Sequence, residues 1–359
     1  MRYKLGEVAK IRYGKDHKKL DDGNIPVYGS GGIMRYVDTA LYDKKSVLIP
    51  RKGSLGNLFF ANKPFWTVDT LFYTEIDENI LMPEFLFYKL KMFNLASMNV
   101  GSAVPSLTTA ILNALELDIP SFEVQSQIVN ILKAFDERIS LNKQINHHLA
   151  ELIDAQFAHL LEDNELYKST FSEIGEIVGG GTPSKKVDDY WNGDIPWLSP
   201  KDLSLNPAMF TSRGQNSITE LGYKKSSAKL MPRNSILFSS RAPIGYITIA
   251  ENDISTNQGF KSIIPKPEYP YTFVYELLKQ ETPSLESSAS GSTFKEVSGT
   301  HLKNHEIRIP PHSAIIKFHE SVEPLFKTIN LNEKEIQKLI EVRDFLLPTL
   351  MSGEISVSD

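Results

Sequence analysis

Few residues in this chain are spaced for covalent chemistry. Gly179-Gly180-Gly181 followed by Lys185-Lys186 has the residue types of a phosphate cradle. It lacks the Gly-x-x-x-x-Gly-Lys-Ser/Thr spacing that closes backbone amides and a lysine on one phosphate. The stretch reads either as a turn whose amides and lysines approach a phosphate or as plain turn chemistry. His301 and His305 stand four residues apart, as two metal ligands on one helix face would. No helix is predicted there, and no metal site is expected. His147 and His148 read as solvated helix positions. The chain has no Asn/Asp-Pro-Pro-aromatic motif and no Gly-x-Ser-x-Gly nucleophile elbow. It also has no cysteine, which removes disulfides, thiolate zinc ligands and a thiol nucleophile. Nothing in these residues points to a catalytic centre or to a cofactor.

The elements that hold the remaining residues are those of an ordinary globular chain. With 359 residues, 41% hydrophobic and 23% charged, it has room for two or three domains. Charge rather than an apolar core follows Met1, so no signal peptide is expected, and no apolar run is long enough to span a bilayer. The cytoplasm is the expected location. The net charge is −5. The acidic excess falls on two long helical stretches, and what lies between is near neutral, which permits a local basic face.

Those helical stretches are copies of each other. Ile119-Pro120 and Ile309-Pro310 sit 190 positions apart, and the offset holds without a gap from Gly101–Leu160 to Gly291–Leu350. Identical pairs along it include Leu112/Leu302, Glu116/Glu306, Ile139/Ile329, Leu141/Leu331, Asn142/Asn332, Leu149/Leu339 and Asp154/Asp344. In the first copy Val124, Ile128, Ile131, Phe135, Ile139, Ile145, Leu149, Leu152, Phe157 and Leu160 recur every three or four residues. Phe318, Val322, Leu325, Ile329, Ile336, Leu339, Phe345 and Leu350 do the same in the second. This spacing keeps one apolar stripe on one helix face. A helix of this length, on the order of 60 Å, cannot bury its own stripe. Pairing of the two copies as a coiled coil is the economical reading, with two ordinary core helices as the alternative.

The stretches before the helices also repeat. In residues 1–120, Ser46-Val47-Leu48-Ile49, Leu58-Phe59-Phe60-Ala61 and Trp66 to Tyr73 predict strands, separated by Gly29-Ser30-Gly31-Gly32 and Lys52-Gly53-Ser54 turns. Pro83 predicts the first position of a short helix. In residues 166–310, Leu5-Gly6-Glu7-Val8 returns as Ile174-Gly175-Glu176-Ile177 and Ile25-Pro26 as Ile195-Pro196. Ser46-Val47-Leu48 returns as Ser235-Ile236-Leu237, Arg51 as Arg241, and Phe87-Tyr88 loosely as Val274-Tyr275. The expected fold is therefore α+β: two similar strand-rich domains at 1–120 and 166–310, each followed by a long helix, at 121–165 and 311–359. Equivalent helices pair most simply about a pseudo-two-fold axis, hence antiparallel. A rigid spacer with two similar heads suits a partner with two separated sites on one line, and duplex DNA is the obvious candidate.

The residues also carry a family resemblance. Gly180-Gly181-Thr182-Pro183-Ser184, then Tyr190 to Trp197, then Gly101-Ser102 with Pro105-Ser106-Leu107-Thr108, and the closing Leu346-Leu347-Pro348-Thr349-Leu350-Met351-Ser352-Gly353-Glu354-Ile355 resemble the specificity subunit of Type I restriction-modification enzymes. The resemblance runs over essentially the whole chain. It implies a non-catalytic DNA reader in which each of two target-recognition domains takes one half of a bipartite site. It further implies that the coil docks two methyltransferase subunits, which the motor and nuclease subunits then join. Two departures stand out. The family's acidic-Gln pair after the proline is Glu123-Val124-Gln125 in the first copy but Ser313-Ala314-Ile315 in the second. Pro324 interrupts the second stripe, where a proline is expected to kink or restart the helix.

Phosphate contact favours Lys, Arg and small polar residues, and base readout favours Arg, Lys, Asn, Gln and hydroxyls on loops. The candidates in the first module are Lys44, Lys45, Arg51, Lys52, Ser54, Asn57 and Lys63, with Ser106, Thr108 and Thr109 near its end. In the second they are Lys185, Lys186, Lys201, Ser239, Ser240, Arg241, Asn257, Gln258, Lys261, Thr293 and Lys295. Arg51 and Arg241 lead, as residues at equivalent places just after a predicted strand. Trp66, Trp191 and Trp197 are assigned to the cores. Two other readings stay open: a coiled-coil scaffold whose heads bind protein or carbohydrate, and the specificity subunit of a related methyltransferase-nuclease.

Overall fold

A computed structural model describes residues 1–99, 105–241, 243–289 and 295–355. The first module opens with β1 (Arg2–Lys4), the single-turn helix α1 (Leu5–Val8) and β2 (Ala9–Tyr13). β3 (Asp22–Gly29), β4 (Gly32–Val37), β5 (Ser46–Pro50), β6 (Phe59–Ala61), β7 (Trp66–Thr67) and β8 (Leu71–Ile76) follow. Helices α2 (Pro83–Lys91) and α3 (Thr109–Asn113) and strand β9 (Glu116–Asp118) complete it, and α4 (Phe122–Glu162) leaves it. The second module runs β10 (Tyr167–Thr170), α5 (Phe171–Ile174), β11 (Gly175–Gly179), β12 (Trp191–Leu198), α6 (Pro200–Leu205) and β13 (Phe210–Thr211). Next come β14 (Asn216–Ile218), α7 (Glu220–Lys224), β15 (Leu230–Met231), β16 (Ile236–Phe238), β17 (Ile247–Ala250), β18 (Ile254–Thr256) and β19 (Lys261–Pro265). Helix α8 (Tyr271–Ser287), α9 (Gly299–Asn304), β20 (Glu306–Ile309) and α10 (His312–Ser352) close the chain.

The repeat extends to topology. One sheet has strand order β2-β8-β5-β6 in the first module and β11-β19-β16-β17-β13 in the second. The other is β4-β3-β7 in the first and β14-β12-β18-β15 in the second, with β3 parallel to β7 and β12 parallel to β18. The second module adds one edge strand to each sheet. Even an irregularity recurs, since Ile25 and Ile195 each follow a register shift in their strands. Strands β1 and β9 pair antiparallel, as do β10 and β20, so each module begins and ends on one two-stranded ribbon.

Two details of the expected repeat change. Leu5-Gly6-Glu7-Val8 is matched by Phe171-Ser172-Glu173-Ile174, not by Ile174 to Ile177. The Lys4 amide donates to the Glu7 carboxylate at 2.6 Å and the Thr170 amide to Glu173 at 3.1 Å, which gives α1 and α5 the same first turn. The run from Trp66 to Tyr73 is two strands on different sheets, because Val68 to Thr70 turn between them. Trp66 and Trp197 are core residues, whereas Trp191 is half-buried, its ring edge-on to Trp197 at 5.1 Å.

Contacts divide the chain into two compact units, Met1–Ile139 with Lys338–Asp359, and Ser140–Gln337. Each holds one module and parts of both long helices. In the first, Ile128, Val129 and Leu132 of α4 share a core with Leu347, Leu350 and Met351 of α10. In the second, Ile153, Phe157 and Leu160 share one with Ile315, Phe318, Val322, Phe326 and Ile329. The start of one helix therefore packs on the end of the other, and the pair is antiparallel. Helix α10 is continuous through Pro324. The proline and Glu320, whose carbonyl loses its helical donor, both face solvent, where water can replace that donor. Ile145, Leu152 and Phe345, expected inside the stripe, are exposed, as are Leu141 and Leu331.

The modules are fastened to the helices by different chemistry. In the first unit buried Gln125 accepts the Met82 amide at 2.8 Å and donates to the Ile80 and Pro120 carbonyls, each at 3.0 Å. This side chain of the family's acidic-Gln pair is thus spent within the chain. Tyr88 donates to Asp136 at 2.6 Å, and Arg343 donates to the other Asp136 oxygen at 2.6 Å. In the second unit Glu333 accepts the Met209 and Phe210 amides at 2.7 and 3.1 Å. Burial nonetheless pushes its carboxyl up to about 7, the nearby Glu251 adding to the effect. Glu276 on α8, packed beside Lys279 and Asp154, is pushed by burial up to about 8.

Candidate nucleic-acid interface

In the first module the loop after β5 is tied to two others. Arg51 N–H donates to the Thr70 carbonyl at 2.8 Å and its carbonyl accepts from Leu107 N–H at 2.9 Å, while Lys52 bridges to Ser106. Gly53 turns the chain with φ +87°, a conformation only glycine adopts freely, and donates to the Pro105 carbonyl at 3.2 Å. Asn57 donates its side-chain amide to the Ser30 carbonyl at 3.2 Å, bringing in the β3–β4 hairpin. The Arg51 guanidinium lies 5.1 Å over the Tyr13 ring and donates to the Asp69 carbonyl at 3.1 Å, so it is oriented by a cation–π contact and a hydrogen bond. Arg51, Lys52, Ser54, Asn57 and Ser106 thus come together at one end of β5.

The second module builds the same end from β16. Ser240 N–H donates to the Gly259 carbonyl at 2.7 Å, Val297 N–H donates to Ser240 at 2.9 Å, and Arg241 bridges to Glu296. Arg241 Nε lies 2.9 Å from one Glu296 oxygen and Lys261 Nζ 3.5 Å from the other. Gln258 accepts from the Thr182 hydroxyl, and Asn257 accepts from Gly259 N–H at 2.8 Å. Helix α6, which carries exposed Lys201, begins beside Gly259.

The backbone pattern corrects the expected equivalence of Arg51 and Arg241. Arg51 corresponds to Ser240, and Lys52 to Arg241, because the bridges to Ser106 and Glu296 match. Ser239 and Ser240 are fully buried. Their hydroxyls donate to the Pro243 and Gly259 carbonyls, so neither can meet a ligand. Thr108 is the N-cap of α3, accepting from Ile111 N–H at 3.3 Å, and Thr109 is that helix's first residue. Lys44, Lys45 and Lys63 stand at the opposite end of β5, where Ser46 pairs with Ala61, and Lys45 is engaged by Glu84 at 2.7 Å. They do not join the cluster. Lys185 and Lys186 are exposed on the turn three residues beyond Thr182. The glycine amides before them are spent, since Gly180 and Gly181 donate to the Phe260 and Thr256 carbonyls. A Cβ on Gly180 would lie 2.0 Å from the Asn257 carbonyl oxygen, so close packing of two backbones explains the glycine. Lys295 is exposed, and Thr293 lies outside the described residues.

Two residues of the cluster were not anticipated. Tyr13 gives no sequence signal beyond being aromatic. Glu296 is passed over by any search for residues that attract phosphate, yet it touches both cations of its loop.

These features define a duplicated protein in which like modules present like cationic loops. Residues 1–151 and 164–341 match the family described as the Type I restriction modification DNA specificity domain, and the chain belongs to that family. It is 43% identical to the Type I restriction enzyme MjaIX specificity subunit of Methanocaldococcus jannaschii, a match covering 47% of this chain and 39% of that one. It is 26% identical to the HindI specificity subunit of Haemophilus influenzae over 85% of each chain. The fold is shared with the S subunit of a Type I restriction-modification system from M. genitalium, at 17% identity and a TM-score of 0.66, with 98% of this chain and 95% of that one covered.

Proposed function

We propose that the chain is the non-catalytic specificity subunit of a Type I restriction-modification system. Domains 1–120 and 166–310 each read one half of a bipartite double-stranded DNA site, and the helical regions 121–165 and 311–359 set the gap between the halves. The observation that carries this reading is the recurrence of one cationic loop cluster at the same place in both modules, Arg51–Lys52 in one and Ser240–Arg241 in the other. Lys185, Lys186, Lys201 and Lys295 meet phosphates at the margins of the second cluster, whereas Lys44, Lys45 and Lys63, at the far end of β5, lie outside the first. The long helices dock two methyltransferase subunits, through which the restriction subunits join. Leu141 and Leu331, identical and exposed in the two copies, support a docking surface present twice. Among the described residues no helix is long and apolar enough to cross a membrane. The site of action is the cytoplasm, beside the genome.

The test is the genome-wide methylation pattern of the source cells with and without this gene. One bipartite motif should vanish with it. Restoring a gene that lacks two heptads from each helix, about 21 Å of rise, should bring back the same half-sites with a gap about six base pairs shorter. An unchanged pattern on deletion, or altered half-sites with the old gap, would overturn the proposal.

A further inference from the structure

Resting on that DNA-reading proposal, we infer that Arg241 reads a guanine in the half-site of the second module, with Glu296 as the positioning residue that aims it. Lys52 and Arg241 occupy one place in the fold, but the residue opposite is Ser106 in the first module and Glu296 in the second. A carboxylate there repels the phosphate that the cation would otherwise attract. It is compatible with a base edge, which has donors and acceptors but no net charge. Glu296 pairs with the guanidinium by charge, with its closest approach of 2.9 Å at Nε, and neither Nη makes a hydrogen bond among the described residues. Those two groups form a planar fork of parallel donors, which guanine O6 and N7 accept together. Lys261, on the other carboxylate oxygen, keeps the trio net positive. The Arg241 side chain is 48% exposed, so a base edge can reach it. Lys52 has no side-chain partner among the described residues and remains a point charge on a flexible stem, suited to a phosphate.

The charge-conserving variant R241K separates these roles, because lysine keeps the charge and loses the fork. The full chain, tagged and purified from its source cells with the subunits that accompany it, would select duplexes from a library with two randomised segments and a range of gaps. R241K should relax one G·C position in one half-site, losing about ten- to hundredfold discrimination there. The other half-site, the gap and the salt dependence of affinity should be unchanged. E296Q should relax the same position by a smaller factor. Unfolding temperatures equal to wild type show that both variants are folded. If R241K selects the wild-type motif at full strictness, or weakens binding evenly at all positions, Arg241 does not read a base, while the DNA-reading proposal stands. If R241K relaxes the position and E296Q does not, the positioning role of Glu296 is lost. If the wild-type chain enriches no bipartite sequence, the DNA-reading proposal itself fails, and this inference with it.

Discussion

Where the first module meets the long helices, Tyr88, Asp136 and Arg343 form a hydrogen-bonded row. At the corresponding places in the second unit, Tyr275 stacks edge-on to Phe326 at 5.8 Å, and Ile153 shares their core. By the repeat, Phe326 stands for Asp136, Ile153 for Arg343 and Ile315 for Gln125. One joint is thus built twice from unlike materials on one backbone. What the fold needs at these positions is filled volume, and two solutions supply it. The polar solution is balanced only while all partners are present, since a lone buried charge is costly. Burial and the hydrogen bond to Asp136 push the Tyr88 phenol well above its usual range, which keeps it a donor at any ordinary pH. The apolar solution degrades in proportion to the volume removed.

The largest effect should come from breaking the apolar joint. F326A removes a fully buried ring and should cost about 3–5 kcal/mol, read by chemical denaturation. Next is transplantation. R343I alone leaves Asp136 without its cation and should cost about 2–3 kcal/mol, whereas D136F/R343I, which copies the second unit, should recover to within about 1 kcal/mol of wild type. A double variant as unstable as the sum of its parts would show that the two joints are not interchangeable. The smallest change is confined to pH. Burial keeps the Glu333 carboxyl at about 7 against an ordinary 4.5, so the native state holds a proton that the unfolded chain gives up. Its contribution is complete below about pH 4.5 and declines as pH rises towards 7. E333Q, which stays neutral, should flatten that decline in a series of unfolding temperatures. An unchanged slope would place its origin elsewhere, with Glu276 the next candidate.

The long helices were legible because apolar periodicity over forty residues is a strong signal, and the gapless duplication confirmed it independently. They run Phe122–Glu162 and His312–Ser352. Which stripe members are covered was not legible, since Ile145 and Phe345 obey the period and still face solvent. Strands β1 and β10 are short and rich in charge or hydroxyls, and they exist because β9 and β20 pair with them, a long-range cause invisible in local pattern. At the candidate site the loops were found but their register was not. Matching Arg51 to Arg241 by identity slipped one residue from the match by strand position. Ser240 is buried where an exposed hydroxyl was expected because its amide and hydroxyl both donate to the Gly259 carbonyl, a long-range contact that local pattern does not show.

The division of the chain into units also fixes an order in time. The unit of residues Ser140–Gln337 is one uninterrupted stretch of sequence. The other unit has its module at the start, but part of its core is Leu347, Leu350 and Met351. On the ribosome the first module is made first, yet the part of its core that Leu347, Leu350 and Met351 fill stays open until the last turns of α10 emerge. The unit that begins later therefore finishes earlier, the reverse of the usual sequence in which amino-terminal domains fold first.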